Sequence, residues 1–373
     1  MINNLTIQPL QNWGFSFNKP LLISGPCSAE SEEQVIETAQ QLQHLSIDVL
    51  RAGIWKPRTR PGGFEGIGKA ALPWLKKAGT LIGKPVAVEV ANREHVFECL
   101  KAGIDILWIG ARTTANPFSV QEIADTLTGV DIPVIVKNPT NPDLQLWLGA
   151  IERVNQAGIT KIAAIHRGFS TYEESIYRNK PMWELPLELR RLLPELPIFC
   201  DPSHICGNRE LLAIIAQKAM DLAFDGLMIE SHIDPNNALS DAKQQITPYQ
   251  LEQLLTGLVI RKSEPPVQIN ELDELRLLID NMDNEIMEIL AQRMDIAQQI
   301  GKLKRDNNIT IFQSHRWSEL VEDRTALASK LELSVAFVQE IFKAIHQESI
   351  RHQGIVMNNI IEKTDNKKEH GIN

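Results

Sequence analysis

The sequence predicts an α/β protein in which a (β/α)8 TIM barrel is followed by an all-α domain of three helices. Three observations predict this. Within residues 20–257, eight short apolar runs alternate with segments of helical character. Two adjacent prolines with charged neighbours then mark a linker at residues 261–268. Beyond the linker, apolar residues recur with a period near 3.6, which is typical of amphipathic helices.

The eight runs are rich in Val and Ile and are apolar throughout, as expected for parallel strands buried on both faces. They are Leu21–Ser24, Val49–Gly53, Val86–Val90, Ile106–Ile109, Val134–Lys137, Ile162–Ile165, Ile198–Cys200 and Gly226–Glu230. Helices are predicted between them, for example at Glu32–Leu45, Glu94–Ala102, Pro142–Ala157 and Arg209–Ala223. Eight such units over about 240 residues fit a TIM barrel, whose usual length is about 250 residues. The alternative, a doubly wound sheet, usually has fewer strands.

The second region begins with one long helix, predicted from Ile269 to about Arg305. Two more helices are predicted at about Ser314–Leu331 and Ser334–Gln353. The predicted domain boundaries are 1–260 for the barrel, 261–268 for the linker, 269–355 for the helical domain and 356–373 for a polar, disordered tail.

Composition excludes several classes of function. The 38 basic and 47 acidic residues give a net charge of −9, which disfavours a general nucleic-acid-binding protein. No apolar stretch reaches the 18 residues of a membrane span, and the N-terminus lacks the layout of a signal peptide. Four cysteines without CxxC spacing predict reduced thiols and a cytoplasmic protein.

Ionisable side chains follow every predicted strand, and in TIM barrels the active site lies at these carboxyl ends. Glu89 and Asp201 are two of them. The largest group is basic and comprises Arg51, Lys56, Arg58, Arg112, Lys137 and Arg167. Converging cations indicate an anionic ligand, because Arg binds phosphate or carboxylate with a planar fork and Lys binds as a point charge. Six cations suit two phosphates and a carboxylate.

A second group of strand-end residues predicts a metal site. It comprises Cys27, His204, Glu230 and Asp241. A thiolate, an imidazole and two carboxylates suit a divalent transition metal such as Mn2+, Fe2+, Co2+ or Zn2+. The other three cysteines are interpreted as structural.

The strand-end motifs together resemble one enzyme family. GPCS, RAGIWKPRTRPGGFEG, IGART, HRG, DPSH and LMIESHIDPNNALSDAKQQ are similar to the metal-dependent 3-deoxy-7-phosphoheptulonate (DAHP) synthases, in the subgroup related to 3-deoxy-octulosonate-8-phosphate synthases. The resemblance covers residues 20–257 and implies the condensation of phosphoenolpyruvate with erythrose 4-phosphate to give DAHP and phosphate. The octulosonate synthases are the close alternative, and the KPRT motif favours the four-carbon aldose.

The resemblance also implies roles for individual residues. Phosphoenolpyruvate is expected on Arg51, Lys56, Arg112, Lys137 and Arg167, with Asp201 in the same substrate site. Arg58 and Thr59 are expected to hold the phosphate of the aldose, and the metal is expected on Cys27, His204, Glu230 and Asp241. Lys56 is expected to protonate the developing alkoxide, and Glu89 to position the water that adds at C2.

In the helical region, Arg276, Arg293 and Lys304 interrupt otherwise apolar positions of the long helix. Arg293 and Lys304 are about 16 Å apart along the helix, and Arg276 lies about 25 Å before Arg293. One small ligand cannot reach both ends, so a shared site predicts that Arg276 comes from a second chain. The pattern therefore predicts an intertwined homodimer with two sites. A bundle that only dimerises is the alternative.

The segments ELDELRLLIDNMDNEIMEILAQRMDIAQQIGKLK and IFKAIHQESIRHQ resemble the first and last helices of the all-helical chorismate mutases. This implies that Arg276, Arg293 and Arg316 bind the two carboxylates of chorismate, that Lys304 and Gln353 face its ether oxygen, and that Ser349 supports a carboxylate. Gln313 and Trp317 depart from the family, which usually has an aspartate and a hydroxyl-contacting glutamate there. We expect an active mutase, with feedback inhibition of the barrel by chorismate or prephenate; a non-catalytic regulatory and dimerisation domain is the alternative.

Overall fold

The computed structural model describes residues 5–58, 62–261 and 270–358. The chain divides into two compact units, residues 1–264 and residues 265–373, and the division falls within the segment predicted as a linker. Thr59, residues 262–268 of that linker and residues 359–373 of the predicted tail lie outside the described residues.

The first unit is a closed barrel of eight parallel strands, as predicted, in which each strand pairs with the next and the last pairs with the first. The strands are β1 Leu21–Gly25, β2 Val49–Arg51, β3 Val86–Val90, β4 Ile106–Ile109, β5 Val134–Lys137, β6 Ile162–His166, β7 Ile198–Cys200 and β8 Gly226–Glu230. Five of the eight predicted strands are confirmed with the same bounds.

Strand β2 ends two residues earlier than predicted because Gly53 pairs with the loop after β1. The Gly53 N–H donates to the Cys27 carbonyl at 3.0 Å, and its carbonyl accepts from the Ala29 N–H at 2.9 Å. A Cβ at position 53 would meet the Cys27 carbonyl oxygen at 2.6 Å. Glycine therefore allows the ends of β1 and β2 to approach closely.

The helices of this unit follow the strands and cover the outside of the barrel. They are α1 Glu32–Leu42, α2 Leu72–Ile82, α3 Arg93–Lys101, α4 Ala111–Thr114, α5 Pro117–Thr126, α6 Leu144–Gln156, α7 Glu184–Leu192, α8 Pro202–Cys206, α9 Leu212–Asp221 and α10 Pro248–Thr256. Several start where the side chain of the preceding residue accepts a backbone N–H, as Ser31 does for α1 and Asp201 for α8.

The apolar core of the barrel unit has two layers. One lies between the strands and the helices. The other fills the barrel interior, where Trp108 and Phe199 are fully buried. Leu10 and Trp13 belong to this inner layer, so the N-terminal segment closes the end of the barrel at which the strands begin.

The second unit contains three helices, α11 Asn270–Asp306, α12 Ser314–Lys330 and α13 Val335–Asn358. Helices α11 and α13 run in the same direction, because the contacts Arg293–Ser349 and Arg305–Val356 advance along both. Many large apolar side chains of α11, between Leu275 and Leu303, remain exposed. Within the described residues of both units, no helix is long and apolar enough to cross a bilayer.

Candidate active sites

The two-residue period of the strands directs the charged strand-end side chains into the barrel. Interior apolar residues include Val49, Ala87, Ile135, Ile165, Phe199 and Met228. Alternate residues of a strand share a face, so the residues two positions later point to the same interior. These are Arg51, Glu89, Lys137, Arg167, Asp201 and Glu230. Six of the residues predicted from the sequence therefore converge at the carboxyl end of the barrel.

Arg51 and Glu230 form a buried ion pair, with Arg51 Nη1 2.7 Å from Glu230 Oε1 and both side chains 1% exposed. Burial alone would raise the pKa of the Glu230 carboxyl, but His204, Arg51 and Lys56 together hold this pKa well below its ordinary value. Burial opposes the charge on Arg51 too, yet Glu230 raises the Arg51 pKa. Both groups are therefore ionised at neutral pH.

Asp201 links Lys137 to His204. Its Oδ2 atom accepts from Lys137 Nζ at 2.7 Å and lies 2.8 Å from His204 Nδ1. Burial opposes ionisation of Asp201, but His204 and Lys137 outweigh it and keep the Asp201 pKa well below its ordinary value. A carboxylate beside Nδ1 orients the ring, so that Nε2 faces Glu230 Oε1 at 3.9 Å.

Three of the four predicted metal ligands form a cluster. The ligand atoms of Cys27, Glu230 and Asp241 all lie within 4.8 Å of one another, and the Cys27 thiol is 3.6 Å from Asp241 Oδ2. Asp241 has a φ of 46°, a strained conformation typical of functional positions. His204 is not part of this cluster, and its approach to Glu230 places it at the edge.

The cluster fits a divalent transition metal. Burial, reinforced by Glu230, raises the pKa of the Cys27 thiol to about 12 although Lys56 nearby lowers it, so in the absence of a metal ion this thiol is protonated at neutral pH. Coordination favours the thiolate, and two carboxylates supply the oxygen ligands that such ions also accept. The Lys56 ammonium donates to Cys27 Sγ at 3.0 Å and also to the Cys27 carbonyl.

The other predicted cations are Arg167, Arg112 and Arg58. Arg167 is buried and donates to Asn179 Oδ1 at 2.7 Å. Burial, together with the neighbouring cations Arg178 and Arg112, lowers the Arg167 pKa to about 10, although Asp201 opposes this shift. Arg112 itself is exposed. Arg58 is half-buried and donates through Nε to the Phe64 carbonyl at 2.7 Å, whereas Thr59 lies outside the described residues.

Three residues that sequence reasoning missed hold the site in place. Arg51 and Lys137 both lie over the Trp108 indole, with Arg51 Cζ 4.9 Å and Lys137 Nζ 5.9 Å from the ring centroid. Trp108 Nε1 donates to Glu89 at 3.1 Å. Gln244 donates to Glu230 Oε2 at 2.7 Å, and Gln245 accepts from the Cys27 N–H at 2.8 Å.

In the helical unit, the structure brings four predicted residues to the α11–α13 contact. The Arg293 guanidinium donates to the Ser349 hydroxyl, and Lys304 Nζ donates to the Ile311 carbonyl at 2.6 Å. Burial lowers the pKa of both cations. Gln353 is 8% exposed, and its Oε1 atom has no hydrogen-bond partner within the described ranges.

Two further predicted residues lie apart from this group. Arg276 and Arg316 are exposed and pair with acidic neighbours on their own helices, Asp273 and Glu319, at 3.2 Å and 3.3 Å. Arg276 is 17 residues from Arg293 on the continuous helix α11, which is about 25 Å. One copy of the chain therefore does not bring Arg276 to the Arg293 site.

Comparison with known proteins identifies both units. Residues 16–263 match the DAHP synthetase I family, and residues 275–354 match the chorismate mutase type II family. A phospho-2-dehydro-3-deoxyheptonate aldolase of Thermotoga maritima is 33% identical over 225 residues, which cover 60% of this chain and 64% of that protein. The chain thus spans just under two thirds of the length of this relative.

A second class of relative carries a different name. A 2-dehydro-3-deoxyphosphooctonate aldolase of Legionella pneumophila is 29% identical, over 65% of this chain and 91% of its own. Among solved structures, the crystal structure of the Thermotoga maritima DAHP synthase aligns with a TM-score of 0.58 and 32% identity, covering 63% of this chain and 67% of that chain.

Proposed function

Because the chain belongs to the DAHP synthetase I family, we propose that its barrel condenses phosphoenolpyruvate with erythrose 4-phosphate, giving DAHP and phosphate. The observation that carries this proposal is the convergence of inward cations on the cluster of Cys27, Glu230 and Asp241. Such a site can bind a small polyanion beside a metal ion. We further propose that the protein acts in the cytoplasm, in line with its free cysteines.

Phosphoenolpyruvate is proposed to bind Arg51, Lys56, Arg112, Lys137 and Arg167. Asp201 would orient the ammonium group of Lys137, with which it pairs. Arg58 and Thr59 are proposed to hold the aldose phosphate. Cys27, Glu230 and Asp241 would hold a divalent ion, with His204 as the fourth ligand after a small movement of its ring. Such an ion, when bound, would polarise the aldehyde oxygen as a Lewis acid.

Two residues are proposed to handle protons and water. Attack of C3 of phosphoenolpyruvate on the aldehyde carbon leaves an alkoxide, which Lys56 would protonate. Its Nζ lies 3.0 Å from the sulfur of the proposed metal ligand Cys27, which supports this role. Glu89 is held by Trp108 and would position the water that adds at C2.

These roles are tested by Lys56→Ala and Glu89→Gln. Each should lower kcat by at least about 100-fold, the usual contribution of a proton-transfer group. Exposed residues provide the matched controls, Lys69→Ala and Glu94→Gln, which should leave kcat unchanged. Near-full turnover of either test variant would refute its role.

The aldose is tested directly, because the Legionella pneumophila relative is named for an octulosonate product. We expect a kcat/KM for erythrose 4-phosphate that exceeds that for arabinose 5-phosphate, since the KPRT motif favours the four-carbon sugar. The opposite preference would assign the barrel to the octulosonate reaction.

The native ion is proposed to be Mn2+, Fe2+, Co2+ or Zn2+, each compatible with mixed sulfur and oxygen ligands. Cys27→Ser should reduce metal content, measured by elemental analysis of the purified protein, well below one ion per chain. Cys99→Ser removes another buried thiol and should retain the metal. Equal metal contents would remove Cys27 from the site.

We propose that the helical unit converts chorismate to prephenate. Residues 275–354 match the chorismate mutase type II family. The rearrangement is unimolecular, so it needs a compact substrate conformer and donors at the oxygen where charge develops. Arg293 and Arg316 would bind carboxylates with support from Ser349, while Lys304 and Gln353 would face the ether oxygen.

The mutase site is proposed to be completed by Arg276 of a second copy in a homodimer. The exposed apolar side chains along α11 offer a surface that a second α11 would bury. Sedimentation of the full chain should give a dimer at micromolar concentration. Arg276→Ala should abolish mutase activity while leaving the dimer intact, and a monomeric, active protein would contradict the proposal.

Feedback inhibition of the barrel is proposed as well: chorismate or prephenate bound to the helical unit would lower synthase activity. Unchanged synthase kinetics at saturating prephenate would reject it. The alternative, a non-catalytic regulatory unit, predicts no chorismate turnover in the parent protein. Lys304→Ala should lower that turnover by at least about 100-fold, with exposed Lys330→Ala as the control.

A further inference from the structure

His346 lies in the helical site, although the proposed function gives it no role. Its ring stacks on Trp317, with ring centroids 4.1 Å apart and an interplanar angle of 22°. Its Nε2 atom is buried and has no hydrogen-bond partner in the part of the chain that the structure describes. Burial lowers the His346 pKa, and the charges of Arg293 and Lys304 lower it further. The ring is therefore neutral at pH 7.

The position of His346 on α13 places it on the substrate-facing side of that helix. Residues 346, 349 and 353 are spaced by three and four, so His346, Ser349 and Gln353 share one helix face. The first and last are about 10 Å apart along the axis. Gln353 Oε1 is also buried and has no partner among the described residues, so two polar atoms that lack a partner there lie on one face. Buried polar atoms are costly unless they are paired, and a ligand at this face would supply the partners.

The chemistry of chorismate indicates which partner suits the ring. Chorismate carries two carboxylates, an ether oxygen and one hydroxyl, so the hydroxyl is its single hydrogen-bond donor. Arg293 and Lys304 can serve only the acceptors, because neither side chain has a lone pair to offer. A neutral imidazole has one ring nitrogen that accepts a hydrogen bond.

We propose that His346 is a specificity-determining residue of the helical site, with its Nε2 atom accepting a hydrogen bond from the ring hydroxyl of chorismate. Trp317 is then a positioning residue that holds the imidazole by stacking. This inference rests on the proposed binding of chorismate to the helical unit.

The experiment compares chorismate with the analogue in which hydrogen replaces the ring hydroxyl, using the full-length protein. His346→Phe keeps a ring against Trp317 and removes the nitrogen, and His346→Gln restores an acceptor. The matched control is His315→Phe, since His315 is 89% exposed. His346→Phe should lower kcat/KM for chorismate about 10- to 100-fold, the effect of losing one hydrogen bond in a buried site, and change that for the analogue less than twofold. His346→Gln should recover part of the loss.

Other outcomes overturn the inference. Equal losses for both substrates would mean that the ring serves packing or a carboxylate, and an unchanged kcat/KM for chorismate would mean that it has no role. If the parent protein does not turn over chorismate, the proposed mutase activity fails. The inference is then tested by measuring chorismate binding by calorimetry. It requires that His346→Phe binds chorismate more weakly than the parent protein does. It is overturned if the two proteins bind chorismate equally well, or if the parent does not bind it.

Discussion

The substitution Arg51→Met is expected to destabilise the metal-free barrel by about 3–5 kcal/mol, because it removes the ion-pair partner of the buried Glu230 carboxylate. Both side chains of the pair are 1% exposed and the two atoms are 2.7 Å apart, so solvent cannot replace the lost partner. At about 2–4 °C per kcal/mol for a domain of this size, the melting temperature should fall by roughly 6–20 °C.

A surface ion pair of the same length provides the control. Lys77 Nζ lies 2.7 Å from Glu32 Oε1, with side chains 65% and 44% exposed. Exposed pairs contribute about 0–1 kcal/mol, so Lys77→Met should shift the melting temperature by only a few degrees. Unfolding can be followed by tryptophan fluorescence, because six of the seven tryptophans lie between Trp13 and Trp183, in the barrel unit.

The double variant Arg51→Met/Glu230→Gln isolates the electrostatic part of the effect. It removes both charges and keeps an oxygen for the hydrogen bond from Gln244, so most of the lost stability should return. The measurement belongs near pH 7, because a carboxyl with a depressed pKa stabilises the fold above its unfolded pKa and loses this contribution on acidification. If Arg51→Met and Lys77→Met have the same melting temperature, the buried pair does not stabilise this site.

Two other perturbations test the environment of the site. Burial, with Arg167 nearby, lowers the pKa of His166 to about 3. Acid therefore favours the unfolded chain once the pH falls below the ordinary histidine value of about 6.5. His166→Phe should flatten the fall in unfolding free energy between pH 6.5 and 4, and a variant whose unfolding free energy falls in parallel with that of the parent would contradict this. At Gly110, a Cβ would come 2.0 Å from Glu89 Oε1. Gly110→Ala should therefore displace the Glu89 carboxylate and lower synthase kcat about 10-fold or more, with little change in melting temperature. An unchanged kcat would mean that Glu89 has no role in the reaction.

The barrel and most of its charged interior could be predicted from the sequence for a physical reason. Parallel strands are buried on both faces, so they stand out as continuous apolar runs, and the residues that end them are then identifiable. Successive side chains of a strand point to opposite faces, which decides which of these residues face the interior. Ile165 and Arg167 point inward, whereas His166 between them packs against Trp183, with ring centroids 5.2 Å apart.

Other parts of the site could not be predicted because their signal lies in contacts between distant segments. From the sequence, Trp108 looks like an ordinary core residue of β4, and only the structure shows that Arg51 and Lys137 both lie over its indole. Residue chemistry and the family resemblance both group His204 with Cys27, but neither gives the distance between them. The distance of His204 from the metal cluster depends on Asp201, which holds the other side of its ring. In the helical unit, spacing located the cations but gave no indication of the stacked ring of His346.

The pairing of the inward cations indicates where an anionic substrate gains the most binding energy. Glu230 raises the Arg51 pKa despite burial, so an anion at Arg51 replaces one negative partner with another. Arg167 differs, because its guanidinium donates to the neutral oxygens of Asn179 and Gly168, and burial lowers its pKa to about 10. Asp201 and Glu89 offset only part of this effect, so we expect a phosphate to gain more from Arg167 than from Arg51, which makes Arg167 the expected primary anchor for phosphoenolpyruvate. We expect Arg51, which pairs with Glu230 and lies over Trp108, chiefly to orient the bound anion, since its charge is already balanced before substrate arrives.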